Sequence, residues 1–353
     1  MNKPLSYFIL FVNILFFTQT IAQEPLQNED SQLAPKIFLE DEPLPIKLSF
    51  AIKDIKKNTN DSTYINTSLF YQLKDGTEHE LEIKLRTRGN YRLKNCYFPP
   101  LKMKLKNKET KNTLFEGNKH LKLVMPCLLQ KDNSDNIVKE YLAYKLFELI
   151  SPYHFKTRLL EINFEEVKGQ KIKNHKLKGI LIEDNKIVAK RFDGKVYDRY
   201  SHPLNHEPLA SVRSSLFEYM IGNTDYSQAY LHNMEVIFIN NKMIPIPYDF
   251  DMSGFVNTSY AVVSEIQGES LGLKSVTERK YRGFVRDEKI FDQVRKEIIG
   301  KKEEMIMLLN NHEDYFENPK EFEVAKDYVL SFLAILMNDQ KFKKEIVDSA
   351  RDE

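Results

Sequence analysis

The densest group of chemically competent side chains lies between Gly222 and Gly254. It reads Gly222-Asn223-Thr224-Asp225-Tyr226-Ser227, then His232-Asn233, then an apolar stretch, then Pro247-Tyr248-Asp249-Phe250-Asp251-Met252-Ser253-Gly254. A hairpin over the apolar stretch, turned at Asn240-Asn241, would return the chain to its origin. One carboxylate before it, an amide at its start and two carboxylates at its end would then converge. Such a set can hold a divalent cation and supply an acid or base for phosphoryl transfer. The Gly222–Asp225 run reads equally as a polar loop whose side chains bond their own backbone. Asp249 and Asp251 alternate with Phe250 directly after a strand, which predicts both on one side. Two like charges there are costly unless solvated or metal-bound. The run from Asp249 also imitates the start of an EF-hand loop, but Tyr260 stands where a bidentate Glu is required and a proline-bearing strand precedes it, so that reading is set aside.

Two further groups occur earlier in the chain. Lys122 shares a strand face with Val124 while Leu121, Leu123 and Met125 take the other, and Glu140 sits among Ile137 and Tyr144 on a helix. A strand lysine paired to a helix glutamate can clamp nucleotide phosphates; two surface charges are the plainer alternative. Arg86, Arg88 and Arg92 surround Gly89-Asn90, with Arg86 and Arg88 on one strand face. Arginine forks at a glycine suit phosphate or carboxylate recognition, and solvated arginines explain them as well. There is no Walker-type or glycine-rich nucleotide loop, and His154, His202 and His206 lack metal-ligand spacing.

The elements that must position these residues fall into two halves. Residues 46–184 are mainly strand-like: Ile46–Ile52, Tyr64–Leu73, Glu78–Arg86, Leu101–Leu105, His120–Met125, Leu159–Phe164 and Leu177–Glu183. One helix interrupts them, from about Asn136 to Ile150, with Ser134 or Asp135 available as its N-cap. Residues 185–353 are mainly helical, over Leu209–Ile221, Lys289–Asn310, Pro319–Met337 and Lys341–Ala350, with short strands at Met234–Ile239 and Met243–Pro247.

Residues 1–22 have the layout of a cleavable signal peptide, with Lys3, an apolar run from Tyr7 to Phe17, and Thr20 and Ala22 before Gln23. That run is short of the ~20 residues that span a bilayer, and no later stretch approaches that length. Residues 23–45 read as a polar, flexible leader. The expectation is therefore a secreted or periplasmic protein with no integral membrane segment. A net charge of +1 offers no overall field for nucleic acid. Cys96 and Cys127 are the only cysteines and match no zinc spacing. In an oxidising compartment they form either one disulfide or two separate buried thiols.

In this order, Arg88-Gly89-Asn90, the Leu121-Lys122-Leu123 strand, the helix holding Glu140, Gly222-Asn-Xaa-Asp225, His232-Asn233 and Pro247-Tyr-Asp249-Phe-Asp251 resemble the CotH-type spore-coat atypical protein kinases. The resemblance covers roughly residues 80 to 285. It implies an α+β, two-lobed protein-kinase-like fold with a β-rich N-lobe holding one helix and a mainly helical C-lobe. It also implies ATP or another nucleotide with Mg²⁺ or Mn²⁺ but supplies no substrate; the acceptor expected beside it is a Ser or Thr of an exported protein. Lys122 would bind phosphate with Glu140 as its partner and Arg88 nearby, Asp225 would be the acid/base, and Asn233 and Asp249 would bind metal, joined by Asp251 on the residue reading. Two departures stand out. Asp225 and Asn233 are eight apart, where the typical protein-kinase loop has about five, and Asp251 replaces the glycine of a DFG-type signature. The rival readings are a non-catalytic pseudokinase that binds a partner and a metal-stabilised envelope scaffold.

Overall fold

The computed structural model describes residues 34–89, 91–129, 133–266 and 269–352. The expected signal peptide, residues 1–22, lies outside the described residues. Alternation dictates the first half. In β1 (Leu44–Phe50), β3 (Glu78–Thr87) and β4 (Leu101–Leu105) every second side chain is buried, which puts Ile46, Leu48, Ile83, Leu85, Leu101 and Met103 on one side. Together with β2 (Ile65–Gln72), β5 (His120–Val124), β6 (Thr157–Lys168) and β7 (Lys171–Ile182), these strands close in the order β1-β2-β3-β4-β5-β7-β6. Closure is made by a parallel pairing of β1 with β6, from Leu44↔Leu160 to Phe50↔Glu166; the other pairs are antiparallel. The barrel interior is filled by side chains, Phe98, Phe115, Leu160, Ile162 and Phe164 among them.

The two-lobed protein-kinase-like fold is therefore corrected. The first half is a closed seven-stranded barrel, and the whole is a mixed α/β structure with ten α-helices among the described residues. The barrel half does not hold a single helix. Besides α4 (Asn133–Ile150) it carries α1 (Ile52–Asn58), α2 (Tyr91–Asn95) and α3 (Asn107–Thr110). These three are too short for a periodic stripe to mark them against the strand pattern. Closure escapes strand signals for another reason: it depends on pairing residues more than a hundred positions apart.

Helix α4 belongs to the second core as much as to the first half. Its Val138, Tyr141, Leu142 and Leu146 pack with Leu159, Ile180 and Ile182 from the outer face of β6 and β7, and with the helical half. So the start of β6 and the end of β7 are buried on both faces. At Gly179 an added Cβ would fall against Ile162 and the Val124 carbonyl, which explains a glycine where three strands crowd. Asp135 caps a distant segment instead of its own helix, accepting N–H bonds from Glu317 (2.7 Å) and Asn318 (3.1 Å).

After β7 come α5 (Asn185–Arg191), β8 (Lys195–Tyr197), α6 (Pro208–Met220), and the hairpin of β9 (Met234–Ile239) and β10 (Lys242–Pro247). The expected Asn240-Asn241 turn is formed, both residues having positive φ. The long helix expected over Lys289–Asn310 is broken at Lys301 into α7 (Glu288–Gly300) and α8 (Lys302–Asn310). Helix α9 spans Pro319–Leu336, and α10 (Asp339–Phe342) runs into a π-turn over Lys343–Val347. Among the described residues no helix is long and apolar enough to cross a membrane.

Cys96, just after α2, and Cys127, just after β5, are joined in a disulfide 31 residues apart in sequence, and both are buried. The cross-link restricts the unfolded chain. Replacing both cysteines with alanine is expected to lower unfolding stability by about 2–4 kcal/mol, measured by urea denaturation under non-reducing conditions. A loss below about 1 kcal/mol would mean that packing alone holds α2 in place.

Candidate functional site

The disulfide sets one wall of a buried polar cluster. Helix α2 carries Arg92, whose Nη2 donates to the Met125 carbonyl (2.9 Å) on the strand leading to Cys127. Its guanidinium lies 3.7 Å from Asp251 and 4.0 Å from Glu140, and all three residues are buried. One cation thus faces two carboxylates. Burial pushes Glu140 up to about 8, against the pull of Arg92 and with the help of Asp251 and Asp249. Burial likewise raises Asp251, again opposed by Arg92. The pair therefore retains a proton near neutrality. Tyr260 completes the cluster by donating to Asp251 Oδ2 at 2.8 Å. A cavity with about 10 Å³ of space for a water centre lies between these side chains.

Asp225 is built differently. Helix α6 ends at Met220, and just beyond it Gly222 has a positive φ and a contact with Tyr328 that leave no room for a side chain. The Gly254 N–H donates to the Gly222 carbonyl (3.1 Å), which ties the Asp225 loop to the Asp251 loop. Asn233 Nδ2 donates to the Asp225 carbonyl (2.6 Å) and to its Oδ2 (3.1 Å), and His232 Nε2 is 3.1 Å from Oδ1. Burial alone would raise Asp225, but His232 and Asn233 outweigh it and hold the carboxyl below its usual range. The carboxylate in turn raises His232. Leu231, Asn233 and Asp249 all have positive φ, a concentration of uncommon backbone at one place.

The hairpin brings these segments together as its register requires. Met234 pairs with Pro247, and the Tyr248 N–H donates to the Asn233 carbonyl (3.1 Å). Asp249 follows, its N–H donating to the Tyr144 hydroxyl on α4 (2.9 Å). Because Asp249 is left-handed (φ 66°), strand alternation stops there. Asp251 turns to Arg92, while the Asp249 carboxylate forms no hydrogen bond or ion pair among the described residues. Asp249 nonetheless acts electrostatically on Lys122, Glu140, Asp251 and His232, so it stands between the two clusters.

The expected pairing of Lys122 with Glu140 is not formed. The cation that faces the glutamate is Arg92, at 4.0 Å, and the Lys122 ammonium lies 4.1 Å from the Tyr248 ring centroid and 4.9 Å from that of Phe155. Burial, with Arg88 as the next cause, pushes Lys122 down to about 8. Arg88 also acts on Glu140, Tyr144 and Tyr248, and its buried Nε has no hydrogen-bond partner among the described residues. Two cations therefore share the cleft, and neither has an ion-pair partner among the described residues. Asn90, beside Arg88, lies outside the described residues.

Among the described residues no three His, Cys, Asp or Glu side chains converge as a ligand set for a metal ion. A cation bound mainly by phosphates and water needs only one or two carboxylates. Asp249 fits that requirement, and the Asn233 amide oxygen is not engaged by any described group. Asp251, committed to Arg92 and Tyr260, does not fit it as arranged. Arg92 and Tyr260 are the residues that sequence reasoning underrated. The nearness of Arg92, on a short helix, to Cys96 directly after it is the available signal for the first; Tyr260 stands in the sequence only as a failed calcium ligand. No family model, curated protein or solved structure matches the chain.

The raised Glu140 has a consequence for stability. Between its ordinary 4.5 and about 8 the folded chain holds a proton that the unfolded chain has released, so stability falls as pH rises through that window. Glu140→Gln is expected to make the fall in melting temperature from pH 5 to pH 8 shallower than in the wild type. Parallel melting profiles would show that Glu140 is ionised throughout.

Proposed function

We propose that this cleft transfers a phosphoryl group from a nucleotide, bound with Mg²⁺ or Mn²⁺, to a hydroxyl of an exported protein. The observation that carries the reading is the pair of cations, Lys122 and Arg88, near enough for Arg88 to depress the Lys122 ammonium and without ion-pair partners among the described residues. Like charges brought together at a half-buried site are costly, and an anion between them relieves the cost. Phosphate, with several acceptor oxygens, suits an arginine fork beside a lysine.

The remaining residues take roles consistent with this. Asp249 has a carboxylate free to ligate the cation, with Asn233 as a second oxygen donor. A bound divalent cation would neutralise phosphate charge and polarise the bond that breaks. Asp225, ionised and fixed by His232 and Asn233, accepts a hydrogen bond from the acceptor hydroxyl and takes its proton as the new bond forms. The Arg92–Glu140–Asp251 cluster positions α4 and the Asp249 loop without touching substrate. Export to the periplasm or beyond accords with the disulfide and with the amino-terminal segment ending before Gln23.

The test is a thermal shift with ATP and Mn²⁺, followed by transfer of labelled phosphate. Wild type is expected to be stabilised by the pair, since a ligand bound only by the folded state raises apparent stability. Lys122→Ala and Asp249→Ala should lose that shift, whereas Asp225→Ala should keep it and lose transfer. A shift in wild type with no transfer to itself or to exported proteins would favour a non-catalytic nucleotide-binding protein. Stabilisation by metal alone, with nothing added by nucleotide, would overturn the reading in favour of a structural cation site.

A further inference from the structure

The cations of the cleft are one corner of a larger array. In the register of β3, β4 and β5, Lys84 pairs with Lys104 and Lys104 with His120, while Arg86 pairs with Lys102 and Lys102 with Lys122. Their neighbours Ile83, Leu85, Leu101, Met103, Leu121 and Leu123 fill the barrel, so alternation sends all six basic residues to its outer face. Lys104 is exposed and the other five are half-buried.

Such a grid is not a stability device, because like charges directly opposite on neighbouring strands destabilise a sheet. Among the described residues only two carboxylates answer it: Asp61 is 2.7 Å from Arg86, and Asp184 is 3.8 Å from Lys102. Lys84, Lys104 and Lys122 form no ion pair among the described residues. The Tyr64 ring lies between two of the cations, 5.7 Å from the Arg86 guanidinium and 5.8 Å from the Lys104 ammonium. His120 is pushed down by burial and by Lys102 and Lys104, which leaves the five other side chains to carry the charge.

The geometry points to this outer face of β3–β5 as a docking surface for an extended acidic peptide segment, the part of the acceptor protein that flanks its phosphorylated hydroxyl. Successive outward cations along one strand are about 6.6–6.8 Å apart, the spacing of alternate side chains on any extended chain. Carboxylates at every second position of a peptide lying along β4 and β5 would meet them in step. The face already binds carboxylates, those of Asp61 and Asp184, at its edges. Of the rings against its cations, Phe155 is buried, and Tyr64 and Tyr248 lie beside different members of the grid, which is not the continuous row on which successive bases stack, and a net charge of +1 supplies no wider field for a nucleic acid. Because Lys122 belongs to both the grid and the cleft, a peptide on this surface runs toward Asp225. The inference rests on the proposed phosphoryl transfer for the peptide's role, but the binding itself does not require nucleotide.

The experiment measures binding of a fluorescent peptide with alternating Glu residues around a serine, at low salt, to the full chain. Controls are the same peptide with Gln for Glu, polyphosphate, single-stranded DNA and anionic vesicles. The Glu peptide is expected to bind and the Gln peptide not to. Lys84→Glu with Lys104→Glu should weaken binding by about tenfold or more while leaving the Mn²⁺-nucleotide thermal shift unchanged. If the double reversal does not fold, Lys84→Gln with Lys104→Gln should give a smaller loss in the same direction. Unchanged peptide affinity in a folded variant overturns the proposal, as does tighter binding of polyphosphate, DNA or vesicles than of the Glu peptide. A nucleotide shift without peptide binding removes the docking surface and leaves the phosphotransfer reading standing; peptide binding without a nucleotide shift does the reverse.

Discussion

One buried guanidinium, that of Arg92, joins the barrel to the helical half. It is anchored to the barrel side by the Met125 carbonyl and by the disulfide that follows it, and it faces Glu140 on α4 and Asp251 after the hairpin. Removing such a cation would leave a buried carboxyl pair whose negative charge has no counter-charge, a loss on the order of 3–5 kcal/mol. The cluster is therefore a constraint on everything near it. While Arg92 holds Asp251, the short Asp249–Asp251 segment has a fixed end, and Asp249 stays aimed at the cleft.

This constraint divides the charges of the region into two classes. Arg92, Glu140 and Asp251 are buried and directed at one another, so they define geometry. Lys122, Arg88 and Asp249 stand at the cleft without ion-pair partners among the described residues, so their charges remain available to a ligand. Asp225 lies between the classes, ionised and yet held by His232 and Asn233. An arrangement that sets its structural charges against one another and leaves two cations and one carboxylate without ion-pair partners among the described residues is what a phosphate-metal ligand requires. The strained backbone at Leu231, Asn233 and Asp249 marks the same place.

Much of this was legible in the sequence because it depends on local pattern. Alternation marked the strands, and the Asn240-Asn241 turn fixed the hairpin that brings Asn233 back beside Tyr248. The cysteine pair suggested its own bridge. What was not legible depends on long-range pairing. Barrel closure rests on Leu44 meeting Leu160, and no local period records that, which is why the first half resembled an open kinase-type lobe. The partner of Glu140 escapes the sequence for a related reason: a lysine on a strand and an arginine on a five-residue helix are equivalent candidates until the disulfide places one of them. Alternation predicts Asp251 on the side of Asp249 as a second metal ligand, and the left-handed backbone at Asp249 breaks that alternation. The polar ends of β6 and β7, from Glu165 to His175, hid strands that extend past their apolar cores.

The central claim is that the unpaired cations and Asp249 form one phosphate-metal site. Its most direct test is a crystal structure of the mature chain grown with Mn²⁺ and a non-hydrolysable ATP analogue, with the metal located by its anomalous scattering. The account predicts a manganese peak beside the Asp249 carboxylate and terminal phosphates within hydrogen-bonding reach of Lys122 and Arg88. Nucleotide bound elsewhere, or manganese seated away from Asp249, would contradict it.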